Sequence, residues 1–241
     1  MTTLNYDAIA DWYDESVRSN VHTHDIVEPA LFALMGEIAG LHICDLACGQ
    51  GVTARQLAQR GAIVMGIDIS EKLLAIAQQD EEREPLGISY RHDDAQTLVT
   101  VADTTFDGVL CSTALMDIAD IAATFQQVHR VLRFGGWFLF AILPPYIFPP
   151  HSYFYIDEQG DVCRAVKNYF NEGFWRSDNK NGVRGQIGTY HRTLSTYLNT
   201  LIDAGFMVEC IAEPQGTGAI VQRVPGYNVV PASLIVKAVV I

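Results

Sequence analysis

Near position 50 the chain runs Ile43-Cys44-Asp45-Leu46-Ala47-Cys48-Gly49-Gln50-Gly51, an apolar stretch that ends on two glycines one residue apart. Glycines in such a place let the backbone turn tightly and approach a ligand with no Cβ in the way. With Ala54 the run satisfies G-x-G-x-x-A, the fingerprint of a dinucleotide-binding turn. Three carboxylates narrow the chemistry: Asp45 four residues ahead of Gly49, Asp68 closing Gly66-Ile67-Asp68, and Asp94 within Arg91-His92-Asp93-Asp94. An acid about 20 residues past the loop can accept hydrogen bonds from ribose hydroxyls. An acid after a third strand can accept from an adenine amino group, and a carboxylate-rich crevice suits a cationic sulfonium better than a pyrophosphate. A nicotinamide dinucleotide is the alternative ligand, although its fingerprint requires neither Asp45 nor Asp94.

Other ionisable residues could act on a second substrate. His191, between Tyr190 and Arg192, has a ring that titrates near neutrality and could take a proton from a hydroxyl or amine, or it could simply anchor the backbone there. Asp117 is a second candidate for that role. His22 and His24 beside Asp25 look like metal ligands, but nothing else completes a set, so chance explains the spacing and no metal is expected. His129 falls in an amphipathic helix and reads as structural. Leu143-Pro144-Pro145-Tyr146 resembles the D/N-PP-Y/F motif of amino-directed nucleic-acid methyltransferases only superficially, because Leu143 offers no side-chain acceptor for a target amine.

These residues need a scaffold, and the hydropathy pattern supplies one. A helical start (Tyr6 to Met35) leads to a strand at 41–47, a helix at Val52 to Gln59, a strand at 62–69 and a helix at Glu71 to Gln79. Strands at 87–91 and 106–112, a helix ending in 126–132 and an apolar strand at 136–143 follow. Strand alternating with helix predicts parallel βαβ units, whose strands bring Asp45, Asp68 and Asp94 to one edge. Gly135-Gly136 reads as a helix stop feeding the next strand. From Pro144 to Gly188 the text turns proline-rich, aromatic and then Gly/Asn-rich, which predicts a folded cap over the sheet. A helix from Leu194 to Ala204 and strands at 206–213 and 232–240 complete the pattern. The chain reads as a single domain over 1–241, with opening helices in 1–38 and a substrate cap inserted at 144–188.

Composition sets outer bounds. The chain has 241 residues, 49% of them hydrophobic, enough for one sizeable core. Its formal charge is −12 and it has no basic run, so a nucleic-acid partner is not expected. No apolar stretch is long enough to span a membrane, and the acidic N-terminus is unlike a secretory signal. The expectation is a cytoplasmic protein, monomer or homodimer, that acts on a small molecule. Five cysteines without a CxxC pair suggest reduced thiols.

The motifs together resemble the class I S-adenosylmethionine-dependent methyltransferases, in particular the ubiquinone/menaquinone-type small-molecule subgroup. The resemblance runs through 6–14, Asp45 to Gly51, Gly66 to Ser70, Asp93 to Leu98, Phe106 to Ile118, Arg130 to Phe140 and 190–206. It implies a doubly wound Rossmann-like α/β fold with a seven-stranded sheet, mostly parallel, whose last strand is antiparallel. It implies S-adenosyl-L-methionine as cofactor and S-adenosyl-L-homocysteine as product. Asp45, Cys48, Gly49 and Gly51 would surround the methionine part, Asp68 would hold the ribose, and Ile69 would lie against the adenine. Asp94 and Ala95 would meet the adenine edge, Cys111 and Ser112 would offer backbone near the amino acid moiety, and Tyr13 would close over the cofactor. Where many relatives carry His-His, this chain has Met116-Asp117, which keeps a non-catalytic S-adenosylmethionine-binding protein as one alternative; an NAD(P)-dependent oxidoreductase, which would use the same crevice, is another. An acceptor must be shielded from water, so Tyr153, Tyr155, Tyr169, Phe170 and Trp175 of the cap are expected to line its pocket, against the alternative that they form the cap's own core.

Overall fold

A computed structural model describes residues 4–18, 23–216 and 218–241. His22 lies outside them, and so does the side chain of His24. Helices α1 (Ala10–Arg18) and α2 (Glu28–Met35) precede β1 (His42–Leu46), α3 (Val52–Gln59), β2 (Ile63–Asp68), α4 (Glu71–Arg83), β3 (Ser89–His92) and β4 (Phe106–Ser112). Then come α5 (Ile121–Val131), β5 (Leu132–Ile142), the short strands β6 (Tyr153–Ile156), β7 (Val162–Ala165) and β8 (Gly173–Trp175), α6 (Val183–Gln186) and β9 (Thr189–His191). The chain closes with α7 (Leu194–Asp203), β10 (Phe206–Ala212), α8 (Ala219–Arg223) and β11 (Leu234–Val240).

Seven strands form one sheet in the order β10-β11-β5-β4-β1-β2-β3. All pair in parallel except β11, which runs antiparallel to both β5 and β10. This is the doubly wound arrangement the motifs imply. Strand periodicity splits β5 between two cores. Phe138 and Phe140 face α5 and α7, where they pack with Phe125 and Phe206, while Leu139 and Ala141 face α2 and α3 with Leu31, Ile43 and Leu57. Because both faces are covered, β4 and β5 read as nearly continuous apolar text. Side-chain caps fix the helix starts: Ser70 accepts from Leu73 N–H, Asp120 from Ala123 N–H and Thr193 from Thr196 N–H.

Two expectations change in detail. The helical start breaks into a 3-10 turn at Tyr6–Ala8, α1, a wide turn at Thr23–Val27 and α2. Gly135-Gly136 is not a helix stop, because α5 ends at Val131 and passes directly into β5. The register against β4 jumps from Phe106–Leu132 to Gly108–Trp137, so the glycines let extra β5 residues loop out as a bulge. Gly135 sits at φ +74°, and a Cβ on Gly136 would press on the carbonyl oxygen of Arg133.

The 144–188 insertion carries β6, β7 and β8; β6 pairs antiparallel with β7, and β8 pairs antiparallel with β9, just beyond the insertion. The β6–β7 turn is held by Asp157, whose Oδ1 accepts the N–H groups of Gln159 and Asp161. Phe148 and Phe154 pack edge-on against Tyr227, and the Arg164 guanidinium lies over both phenylalanine rings.

Candidate active site

The sheet order reverses between β1 and β4, and a crevice opens there beyond the carboxyl ends of the strands. Three hollows lead one into the next. The first is lined by Gly49, Asp68, Ile69, Asp94, Ala95 and Gln96 among others. The second shares Tyr6, Tyr13, Gly49, Ser112, Thr113 and Asp117 with it and extends to Cys48, Met116, Leu143, Arg184 and Tyr227. The third shares Met116, Leu143 and Arg184 with the second and runs beneath the insertion past Phe148, Trp175, Thr189 and His191.

The glycine loop is tied down from two sides. Cys48 N–H donates to the Ile67 carbonyl at 3.0 Å, and Gly51 N–H to that of Cys48 at 3.0 Å. Gly51 caps α3 at φ +81°, and a Cβ there would run into the Tyr90 hydroxyl and Ala77. Its lack of a side chain therefore serves the packing of the loop on β3 and α4, away from the crevice. Beyond Gly49, by contrast, a Cβ would meet only Leu73 and Tyr13, at 3.8 Å. Asp68 bridges loop and strand, accepting Gly49 N–H on Oδ2 and Ser70 N–H on Oδ1, both at 2.8 Å. Burial pushes its carboxyl above the usual range against the pull of these N–H groups.

Asp45 lies behind the loop and lines none of the hollows; nor do Gly51 and the fully buried Cys111. Burial, followed by the Asp68 charge, pushes Asp45 up to about 8, opposed by a hydrogen bond from Ala54 N–H. Its Oδ2 is buried without a partner. Asp94 faces the first hollow and accepts the backbone N–H of Gln96 at 2.9 Å and its side-chain amide at 3.0 Å.

At the junction of the first two hollows, Asp117 accepts the Tyr6 hydroxyl on Oδ2 at 2.6 Å and the Thr189 hydroxyl on Oδ1 at 2.9 Å. Burial raises its carboxyl, while the two hydroxyls and the nearby Arg184 and Arg192 lower it. Tyr6 packs edge-on against Tyr13 with ring centroids 5.0 Å apart, so the segment ahead of α1 and α1 itself form one wall. His191 is buried, and its Nε2 lies 2.7 Å from the Tyr169 carbonyl. In that contact Nε2 carries the proton, which commits it to anchoring the insertion. Burial also depresses the imidazole's affinity for a second proton.

Among the aromatics expected to line an acceptor pocket, Trp175 reaches the third hollow. Tyr153, Tyr155, Tyr169 and Phe170 line none of the three. Along β6, alternation turns Phe154 toward Phe148 and Tyr227 and leaves Tyr153 and Tyr155 exposed. Phe170 is 84% exposed, and the Tyr169 hydroxyl accepts Leu194 N–H at the start of α7. Sequence reading missed Tyr6, Thr189 and Tyr227. Tyr6 carried a usable signal, since it stands seven residues before Tyr13 and so shares its side of a helical segment. The other two reach the crevice only through tertiary structure.

Residues 44–140 match the family model described as a methyltransferase domain. The chain is 34% identical to a crystallised S-adenosylmethionine dependent methyltransferase from Mesorhizobium loti, over 88% of this chain and 96% of that one, with a TM-score of 0.75. A putative S-adenosylmethionine dependent methyltransferase from Listeria monocytogenes is 26% identical, covering 91% of this chain and 98% of that one, with a TM-score of 0.73. A ubiquinone biosynthesis O-methyltransferase from Pseudomonas syringae pv. tomato is 26% identical over 86% of this chain and 95% of its own length.

Proposed function

This chain belongs to the S-adenosylmethionine-dependent methyltransferases, and on that footing we propose that it methylates an O, N, S or C nucleophile of a small molecule held beneath the 144–188 insertion. The observation that carries this reading is the unbroken run of hollows from the acid-lined strand ends to the underside of the insertion. Donor and acceptor can thus meet in one continuous passage, and alignment with exclusion of water is most of what methyl transfer asks of a protein. The name of the Pseudomonas relative favours an oxygen acceptor. None of the relatives named above is a nicotinamide oxidoreductase. Among the described residues no helix is long and apolar enough to cross a membrane.

The residues fit the cofactor. The open space beyond Gly49 and the acids of the first hollow together favour a ligand carrying positive charge. When bound, S-adenosylmethionine supplies an electrophilic methyl group and leaves as S-adenosylhomocysteine. Asp68 would accept from the ribose hydroxyls while keeping the glycine loop in place. Ile69 would cover the adenine, with the Asp94 side chain and Ala95 backbone at its edge. Cys48, Gly49 and Ser112 would surround the amino acid part, with Cys111, Asp45 and Gly51 shaping that wall from behind. Tyr13 would close the second hollow, and Asp117 would hold or take the acceptor's proton beside the Tyr6 hydroxyl.

Thermal unfolding with S-adenosylmethionine, S-adenosylhomocysteine, NAD(H) and NADP(H) in parallel tests the assignment. A ligand at about 100 times its Kd adds about 2.7 kcal/mol of apparent stability, which raises Tm by roughly 5–10 °C in a domain of this size. The expected result is a rise with the two adenosyl-sulfur compounds alone; a rise with a nicotinamide compound instead overturns it.

A further inference from the structure

The three hollows differ in charge. The first is lined by Asp68, Asp93, Asp94 and Asp117 and by no Lys or Arg. Along the second and third, Asp117 is the single acid, and Arg184 and Arg192 face it. In a chain of net charge −12, a cationic inner end is a local arrangement and not a reflection of composition.

The partners of these charges separate them by role. Asp117 has both oxygens occupied by the hydroxyls of Tyr6 and Thr189. Arg192 is spent on backbone: its guanidinium donates to the carbonyl oxygens of Leu115, Ile118 and Ala119. The Arg164 guanidinium, behind the wall, donates to the Ile147 carbonyl and covers two aromatic rings. Arg184 differs from both. It lines the second and third hollows, and among the described residues its side chain makes no hydrogen bond and no ion pair closer than 4 Å. Half-buried in a lining of Met116, Leu143 and Tyr227, its fork of N–H donors is left to a ligand.

We propose that Arg184 is the specificity anchor of the acceptor site and that it takes a carboxylate on the methyl acceptor. A guanidinium fork matches a carboxylate in a bidentate geometry, and one unpaired cation balances one negative charge, which favours a carboxylate over a phosphate dianion. Arg184 is absent from the lining of the first hollow and lines the third, beneath the insertion, as well as the second, so a carboxylate on an acceptor held there comes within its reach. The inference rests on the methyltransferase reading and adds the acceptor's chemical class to it.

The test loads the protein with S-adenosylhomocysteine and titrates benzoate, 3-phenylpropionate and hexanoate, each against its amide. At least one carboxylate is expected to bind about tenfold or more tightly than its amide. Arg184→Met should reduce that preference to less than about threefold, with Arg184→Lys in between, while S-adenosylhomocysteine affinity stays within about threefold and thereby reports an intact fold. The wild-type comparison needs no variant and overturns the proposal by itself if no carboxylate is preferred. A preference that survives in Arg184→Met and Arg184→Lys also overturns it. So does a fall of about tenfold or more in S-adenosylhomocysteine affinity in Arg184→Lys, which would assign the guanidinium to the cofactor's own carboxylate. Wild-type protein that fails to bind S-adenosylhomocysteine removes the underlying reading, a result distinct from all of these.

Discussion

Asp45 is held mostly protonated at neutral pH by its burial behind the glycine loop, with a folded-state pKa of about 8 against an unfolded value of about 4. Between those values the native state binds more protons than the unfolded one. The stability this group contributes is therefore complete below about pH 4 and is lost as pH rises through about 8. Asp45→Asn, which cannot ionise, should melt at a progressively higher temperature than wild type as pH goes from 5 to 9, as thermal scans along a pH series would show. Asp117 has a different task on the crevice wall. Asp117→Asn retains an acceptor for one hydroxyl but no basic oxygen, so kcat should fall by about 100-fold or more if the acceptor loses a proton, with S-adenosylhomocysteine affinity nearly unchanged. The lining of the first hollow was largely legible in the sequence because Gly49, Asp68, Ile69, Asp94 and Ala95 lie at the ends of strands whose order the βαβ pattern predicts. The acceptor end was not. Arg184 stands in Asn181-Gly182-Val183-Arg184-Gly185, a polar run with no periodicity, and only the return of the chain through α6 brings it to the crevice.

Among the elements, β3 is short and mostly exposed, yet it carries the ring that supports the glycine loop. Tyr90 packs against Gly51 and Gly66, and its buried hydroxyl has no hydrogen-bond partner. An unsatisfied buried hydroxyl costs stability, so Tyr90→Phe should raise stability by about 1 kcal/mol, read from the denaturation midpoint. Gly51→Ala should lower it by more than that, because the new Cβ adds a clash to a left-handed backbone, and adding Tyr90→Phe should recover part of the loss. Periodicity located most strands to within two residues. The failures came where one local signal fits two structures: a glycine pair after an amphipathic helix suggests a stop, but at Gly135-Gly136 the register of β5 on β4 requires a bulge. Along β6 the aromatic text was read as pocket lining, whereas alternation sends Tyr153 and Tyr155 outward and only Phe154 inward.

For the molecule as a whole, the net charge of −12 implies self-repulsion in the compact state. Raising salt from about 20 to 200 mM shortens the Debye length from roughly 20 Å to under 10 Å, so Tm of the free protein should rise by a few degrees. An unchanged or lower Tm would mean that surface ion pairs such as Arg18 with Asp80 outweigh the repulsion. The insertion at 144–188 leaves the sheet after β5 and returns through β9, and both its flanks, Leu143 and Thr189, border the third hollow. Its ends are thus neighbours in space, held by a sheet whose pairing of β11 with β5 and β10 does not involve it. Loop-closure entropy grows only logarithmically with length, so doubling the insertion would cost the fold about 0.6 kcal/mol. On the proposed reading, acceptor preference would therefore drift through length changes and wholesale replacement of this one segment, while the first hollow stays under the stricter geometry of the strands.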